Sequence, residues 1–115
     1  MANYEDLDVY QRSYETALRV HKLSQGKEND DLVRQMRRAT KSIPANIAEG
    51  FSKANSNAEV RRFIGMALRS CDEVKVWMDF CRDLGYITIE ECERLKSEYR
   101  EYGAMLYSLW KRHSQ

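Results

Sequence analysis

The sequence predicts an all-α fold, an antiparallel up-down-up-down four-helix bundle forming one domain over residues 1–115, with its second helix kinked at a proline. Three observations carry this expectation. One proline and five glycines in 115 residues leave too little turn material for a sandwich of short strands. Apolar residues recur at steps of three or four in four separate stretches, which at about 100° per residue draws one stripe along each helix. Polar connections of roughly two to eight residues separate the stretches, as between antiparallel neighbours. A chain of this length can bury about two-thirds of its unfolded surface.

The first helix is expected to start near Asn3, with Glu5, Asp6 and Asp8 suited to a helix N-terminus. Leu7, Tyr10, Tyr14, Ala17, Leu18 and His21 hold its apolar spacing, and it ends around Leu23 before a polar connection containing Gly26. The second helix starts near Asp30 or Asp31 and buries Leu32, Met36, Ala39, Ile43 and Ile47. Pro44 cannot donate to the carbonyl of Thr40, which predicts the kink near Thr40–Ile43 and weaker amide protection there. Gly50 suits a left-handed exit from this helix.

Ser56 and Glu59 form a capping-box pattern for the third and longest helix. Its stripe is Val60, Phe63, Ile64, Ala67, Cys71, Val74, Trp77, Met78 and Cys81. Gly65, inside this helix at a cost of about 1 kcal/mol relative to alanine, is expected to allow close helix approach. Gly85 follows the helix end, with Tyr86 or Ile87 packing back over it. Thr88 and Glu91 cap the fourth helix, which buries Ile89, Cys92, Leu95, Tyr99, Tyr102, Leu106 and Leu109.

Composition narrows the function. Net charge is +1, but residues 1–31 hold 4 basic and 7 acidic side chains, residues 32–75 hold 9 and 4, and residues 76–115 hold 6 and 7. A basic middle fits a polyanionic partner, and equally fits helices pairing their charges. No apolar run approaches the roughly 20 residues of a membrane span, and the acidic N-terminus lacks a signal peptide's apolar core, so a cytoplasmic location is expected. Cys71, Cys81 and Cys92 form no C-x-x-C pair and fall on apolar helix faces, as buried free thiols do. His21 and His113 have no carboxylate or cysteine at useful spacing, and no bundle-type metal pattern or phosphate-cradling glycine loop is present. No enzyme, metal or cofactor is expected.

The basic stretch is the main candidate site. Arg34, Arg37, Arg38 and Lys41 fall within about 100° of arc, opposite the stripe of their helix. Arg62 and Arg69 lie seven apart on the third helix and point away from its stripe, with Arg61 and Lys53 close in sequence. Changing Arg34, Arg37 and Arg38 together to Glu is expected to abolish polyanion binding without disturbing the fold. The alternative is that acids of neighbouring helices or subunits absorb these cations. Asn46 and Glu49 share one side of the helix after Pro44. They can satisfy backbone groups near the kink and pair with a neighbouring helix, or form a polar site in a subunit contact. Most tyrosines fall on core positions, and no run of aromatics interleaves with arginines. Trp77, Trp110, Met66 and Phe80 add apolar area beside the main stripes, which fits a homo-oligomer.

Four segments also carry a resemblance: Leu7 to Gln11, L-D-V-Y-Q; Gln35 to Gly50, Q-M-R-R-A-T-K-S-I-P-A-N-I-A-E-G; Arg61 to Ser70, R-R-F-I-G-M-A-L-R-S; and Asp83 to Ile87, D-L-G-Y-I. In this order they resemble the four-helix-bundle proteins encoded in intervening sequences of bacterial 23S ribosomal RNA genes. S-I-P-A-N-I-A-E-G, with Pro44, Asn46, Glu49 and Gly50, is the most specific part, while Phe51-Ser52-Lys53 is less basic than the stretch often found there. That family is similar in fold to the accessory variability protein of diversity-generating retroelements, a ring-like homopentamer with a basic surface. The resemblance implies a homopentamer, binding to structured RNA or DNA, and a reverse-transcriptase-like or other protein partner, without enzymatic activity. Two functions stay open: a nucleic-acid-binding accessory protein, and an assembly or scaffolding module that binds a nucleic-acid-processing enzyme.

Overall fold

The structure, a computed structural model, describes residues 3–114. A short 3-10 turn, Tyr4–Asp6, precedes four helices: α1 (Asp8–Leu23), α2 (Asp31–Ser52), α3 (Asn57–Asp83) and α4 (Ile89–Arg112). They pack into a rod of 44 × 22 × 21 Å. Each helix packs on its chain neighbours, and α4 returns to α1; α2 with α3 is the most extensive seam and α1 with α4 the slightest. Contacts that advance along one helix recede along the next. Met36 meets Cys81 while Ser42 meets Ser70, and Cys92 meets Met78 while Trp110 meets Arg61. Among the described residues, no helix is long and apolar enough to cross a membrane.

The connections follow from local chemistry. Asp30 caps α2, its Oδ1 accepting from the amides of Leu32 at 2.9 Å and Val33 at 3.2 Å. Its Oδ2 accepts from the Tyr86 hydroxyl at 2.7 Å, which holds the Asp30 carboxyl below the usual carboxylate range. The Lys27 ammonium stands 4.7 Å over the Tyr86 ring, so one residue pins the α1–α2 connection to the α3–α4 connection. Gly85 takes φ 76° after α3, with its own amide bonded to the Arg82 carbonyl and that of Tyr86 to Cys81, a Schellman ending. Thr88 and Glu91 form the complete capping box. Ser56 accepts from the Glu59 amide, but the Glu59 carboxylate accepts from Asn55 rather than from Ser56, so only half of that expected box exists.

The expected stripes of α2, α3 and α4 largely form the core, with Ile43, Ile47, Ile64, Val74, Met78, Tyr99 and Leu106 fully buried. Ile89 is exposed and Leu32, Val60, Phe63 and Trp77 are half-buried. Cys71, Cys81 and Cys92 are buried free thiols; burial pushes Cys71 up to about 12 and Cys81 up to about 11. The first helix departs more. It does not begin at Asn3: the 3-10 turn ends at Leu7, whose extended backbone separates it from α1. Its buried face is Val9, Ser13, Thr16, Ala17 and Val20, about a third of a turn from the expected stripe. Ser13 and Thr16 can be buried because their hydroxyls bond the carbonyls of Tyr10 and Arg12, and Thr16 also shares a 2.6 Å bond with the Tyr102 hydroxyl. Tyr14 and Leu18 are left 50% and 49% exposed.

Neither Gly50 nor Gly65 plays its expected role. Gly50 is no left-handed exit: α2 runs through it to Ser52, and the only positive-φ glycines among the described residues are Gly26 and Gly85. A Cβ at Gly50 would stand 3.0 Å from the Cβ of Phe63, so this glycine lets α2 approach α3. At Gly65 a Cβ would meet nothing within 4 Å, and the expected close approach is absent there. Gly65→Ala should therefore raise stability by about 0.5–1 kcal/mol. Gly50→Ala should lower it, because overpacking at about 1–3 kcal/mol outweighs the same helical gain. Chemical denaturation reads both; equal shifts of one sign would contradict the assignment.

The α2 helix is continuous across Pro44, which is buried. With no N–H at Pro44, the Thr40 carbonyl lacks its helical donor four residues on. Amide exchange should accordingly be faster in the middle of α2 than at the same depth of α3. Uniform protection over residues 32–48 would contradict it.

Candidate nucleic-acid interface

The six candidate cations occupy three environments. Arg34 pairs with Asp31 one turn earlier and donates to the Asn29 carbonyl at 2.9 Å, so it is tied to the start of its own helix. Arg37 belongs to the packing between helices. Its Nε donates to Ser24 Oγ at 2.7 Å, its Nη2 donates to the His21 carbonyl at 2.8 Å, and Glu28 lies 3.9 Å away. Only 11% of its side chain is exposed. The expectation that Arg37 could be reversed without structural consequence does not fit this geometry, because its guanidinium closes the end of α1 onto α2.

Arg38, Lys41, Arg62 and Arg69 are exposed and have no acidic partner within 4.0 Å among the described residues. Several acids of neighbouring helices are engaged elsewhere, while Glu73 of α3 is exposed and pairs with no cation within 4.0 Å among the described residues. Glu101 and Glu98 of α4 pair with Arg12 and Arg19 of α1, and Asp79 takes Lys96 and Arg82. The 2.8 Å bond between the Ser42 and Ser70 hydroxyls sets the register of α2 on α3 and puts Lys41 and Arg69 at one level of the bundle.

The arc of α2 divides between two grooves. Arg34 and Arg38 line a cleft of about 520 Å³ against α3, with Ser42, Ser70, Glu73 and Trp77. Lys41 lies on the other side, in a groove of about 390 Å³ that also includes Tyr14, Leu18, His21 and Pro44. Arg62 rests its guanidinium 4.5 Å from the centre of the Phe63 ring. Sequence spacing alone did not reveal that Trp77 enters the cleft with the arginines, since α3 brings it there from 39 positions beyond Arg38.

The residues after the proline settle locally. Asn46 Nδ2 donates to the Ser42 carbonyl at 2.8 Å and to Ser42 Oγ at 3.0 Å, while Glu49 is exposed and has no cation within 4.0 Å among the described residues. Asn46 thus orders the hydroxyl pair at the α2–α3 seam.

Comparison with known proteins agrees with this architecture. No curated protein matches the chain. A crystal structure of a protein with unknown function from the S23 ribosomal protein family of Bacteroides thetaiotaomicron superposes with a TM-score of 0.81 at 28% identity, over 90% of this chain and 95% of that one. The family described as 23S rRNA-intervening sequence protein matches residues 5–108, nearly the whole described bundle including the basic stretch and the segment from Pro44 to Gly50. The chain belongs to the 23S rRNA-intervening sequence protein family.

Proposed function

We propose that this protein is a non-enzymatic, oligomeric accessory protein that binds structured RNA or DNA through exposed cations of α2 and α3. One observation carries the reading: Arg38, Lys41, Arg62 and Arg69 are exposed and have no acidic partner within 4.0 Å among the described residues. A surface ion pair is worth at most about 1 kcal/mol, so structure alone gives little reason to gather unpaired cations. Phosphates reward them cumulatively through counterion release. Arg34 can add to the set by exchanging Asp31 for phosphate.

An assembly of copies would multiply these contacts along one polymer. Two separate apolar features support self-association: the α1–α2 groove with Tyr14, Leu18 and Pro44, and exposed Val76, Phe80 and Leu84 towards the end of α3. A groove on one copy that receives the α3 ridge of the next gives a heterologous contact, which closes into a ring when the rotation allows. The resemblance implies five copies. Light scattering at micromolar concentration should give a homo-oligomer, and a monomer would remove this part of the reading.

The same groove is the one feature favouring the alternative, an assembly module for a nucleic-acid-processing enzyme. Recovery of the protein from native lysate with and without nuclease separates the two. Co-purifying nucleic acid lost on nuclease treatment supports the first reading. A salt-insensitive protein partner that survives nuclease supports the second.

A further inference from the structure

The α3–α4 seam carries an aromatic and basic cluster outside the basic stretch. Tyr107 is 52% exposed, and its ring lies nearly parallel to that of Trp110, 9° apart in plane with centroids 6.2 Å apart. The Lys111 ammonium stands 5.1 Å over the Tyr107 ring, and the Arg61 guanidinium, arriving from α3, stands 5.9 Å from the Trp110 centroid. Gly103, one turn before Tyr107 on the same face of α4, leaves its side-chain direction empty to 4 Å. Gly65 leaves α3 equally bare, and the register set by Arg61 with Trp110 puts it about level with Tyr107. The aromatic step therefore has clear space beside it on both helices.

Resting on the nucleic-acid reading above, we propose that this step is a stacking platform for an unpaired nucleobase of single-stranded RNA or DNA, with Lys111 and Arg61 taking the flanking phosphates. Every base offers a π-face, so stacking on Tyr107 is tolerant of sequence, while the cations track the backbone. Lys111 is exposed and swings from the ring to a phosphate as the base replaces it. Nearby acids are engaged elsewhere: Glu101 with Arg12, Asp72 with Lys75 at 3.3 Å, and Glu59 with the Asn55 amide. An aromatic face framed by cations and lacking free carboxylates suits a polyanion better than a second copy carrying the same charges.

The test is titration of the full chain with a single-stranded oligouridylate and with an RNA duplex of equal length at low salt, read by anisotropy and tryptophan fluorescence. Tyr107→Ala should weaken single-strand binding about tenfold and leave duplex binding unchanged, whereas Tyr107→Phe, which keeps the ring, should bind within about twofold of the parent. Light scattering should show the same oligomeric state for both variants. Unchanged single-strand affinity in Tyr107→Ala, or an altered oligomeric state, would overturn the platform. Binding of duplex alone would overturn it while sparing the basic face of α2 and α3. Binding of neither strand form would end both readings.

Discussion

Reversal of Arg38, Lys41, Arg62 and Arg69 to glutamate should give a folded, helical protein whose affinity for RNA or DNA falls by about a hundredfold or more at physiological salt. The four side chains are exposed, and none anchors an ion pair among the described residues, so the fold loses almost nothing. Arg62 gives up only its contact with the Phe63 ring, worth about 0.5–1 kcal/mol at an exposed site. Binding loses four phosphate contacts and gains four repulsions. Helicity by circular dichroism should match the parent, and reversal of Arg38, Arg62 and Arg69 alone should also leave the size by light scattering unchanged, because Lys41 lines the α1–α2 groove offered for self-association. A variant that unfolded or dissociated would instead assign these cations to a subunit contact.

Arg37 should behave in the opposite way. Arg37→Glu puts a carboxylate where a guanidinium now donates to Ser24 Oγ and the His21 carbonyl, with Glu28 facing the same spot. The lost charge-assisted bonds alone are worth about 1.5–3 kcal/mol, and the new repulsion adds to that. For a domain of this size the thermal midpoint should fall by more than about 10 °C. A midpoint within a degree or two of the parent would show that the α1–α2 end does not depend on Arg37. This contrast also explains why the combined reversal of Arg34, Arg37 and Arg38 is a poor test of binding, since Arg37 confounds it.

The fold was legible because α2, α3 and α4 each bury a continuous apolar stripe, and because Asp30, Gly85 and the Thr88–Glu91 box mark their ends by local chemistry. The phase of α1 was not legible. Hydrophobicity counts Ser13 and Thr16 as surface, yet a hydroxyl that bonds its own helix can be buried without penalty. The two glycines were misread for a related reason. Gly50 and Gly65 both sit in helical runs, and only the packing of α2 on Phe63 decides which one must lack a side chain.

The candidate site was legible in part. Periodicity placed Arg34, Arg37, Arg38 and Lys41 on one arc, but an arc 100° wide spans two neighbouring helices. Arg37 therefore meets the end of α1, while Arg38 faces the α3 cleft with Trp77. The Tyr107, Trp110 and Lys111 spacing was visible on α4, whereas the approach of Arg61 depends on the register of α3.

Exposed cations of α2 and α3 that hold a phosphate backbone should make affinity fall with added salt. A plot of log affinity for duplex DNA against log salt should be linear, with a slope near −0.9 for each phosphate neutralised. The parent should show a slope corresponding to at least a few phosphates, steeper if copies in an assembly share one polymer, and the fourfold reversal a markedly shallower one, to which Arg34 alone of the α2 and α3 set still contributes. An affinity indifferent to salt, or a slope identical in parent and variant, would contradict this role of the cations.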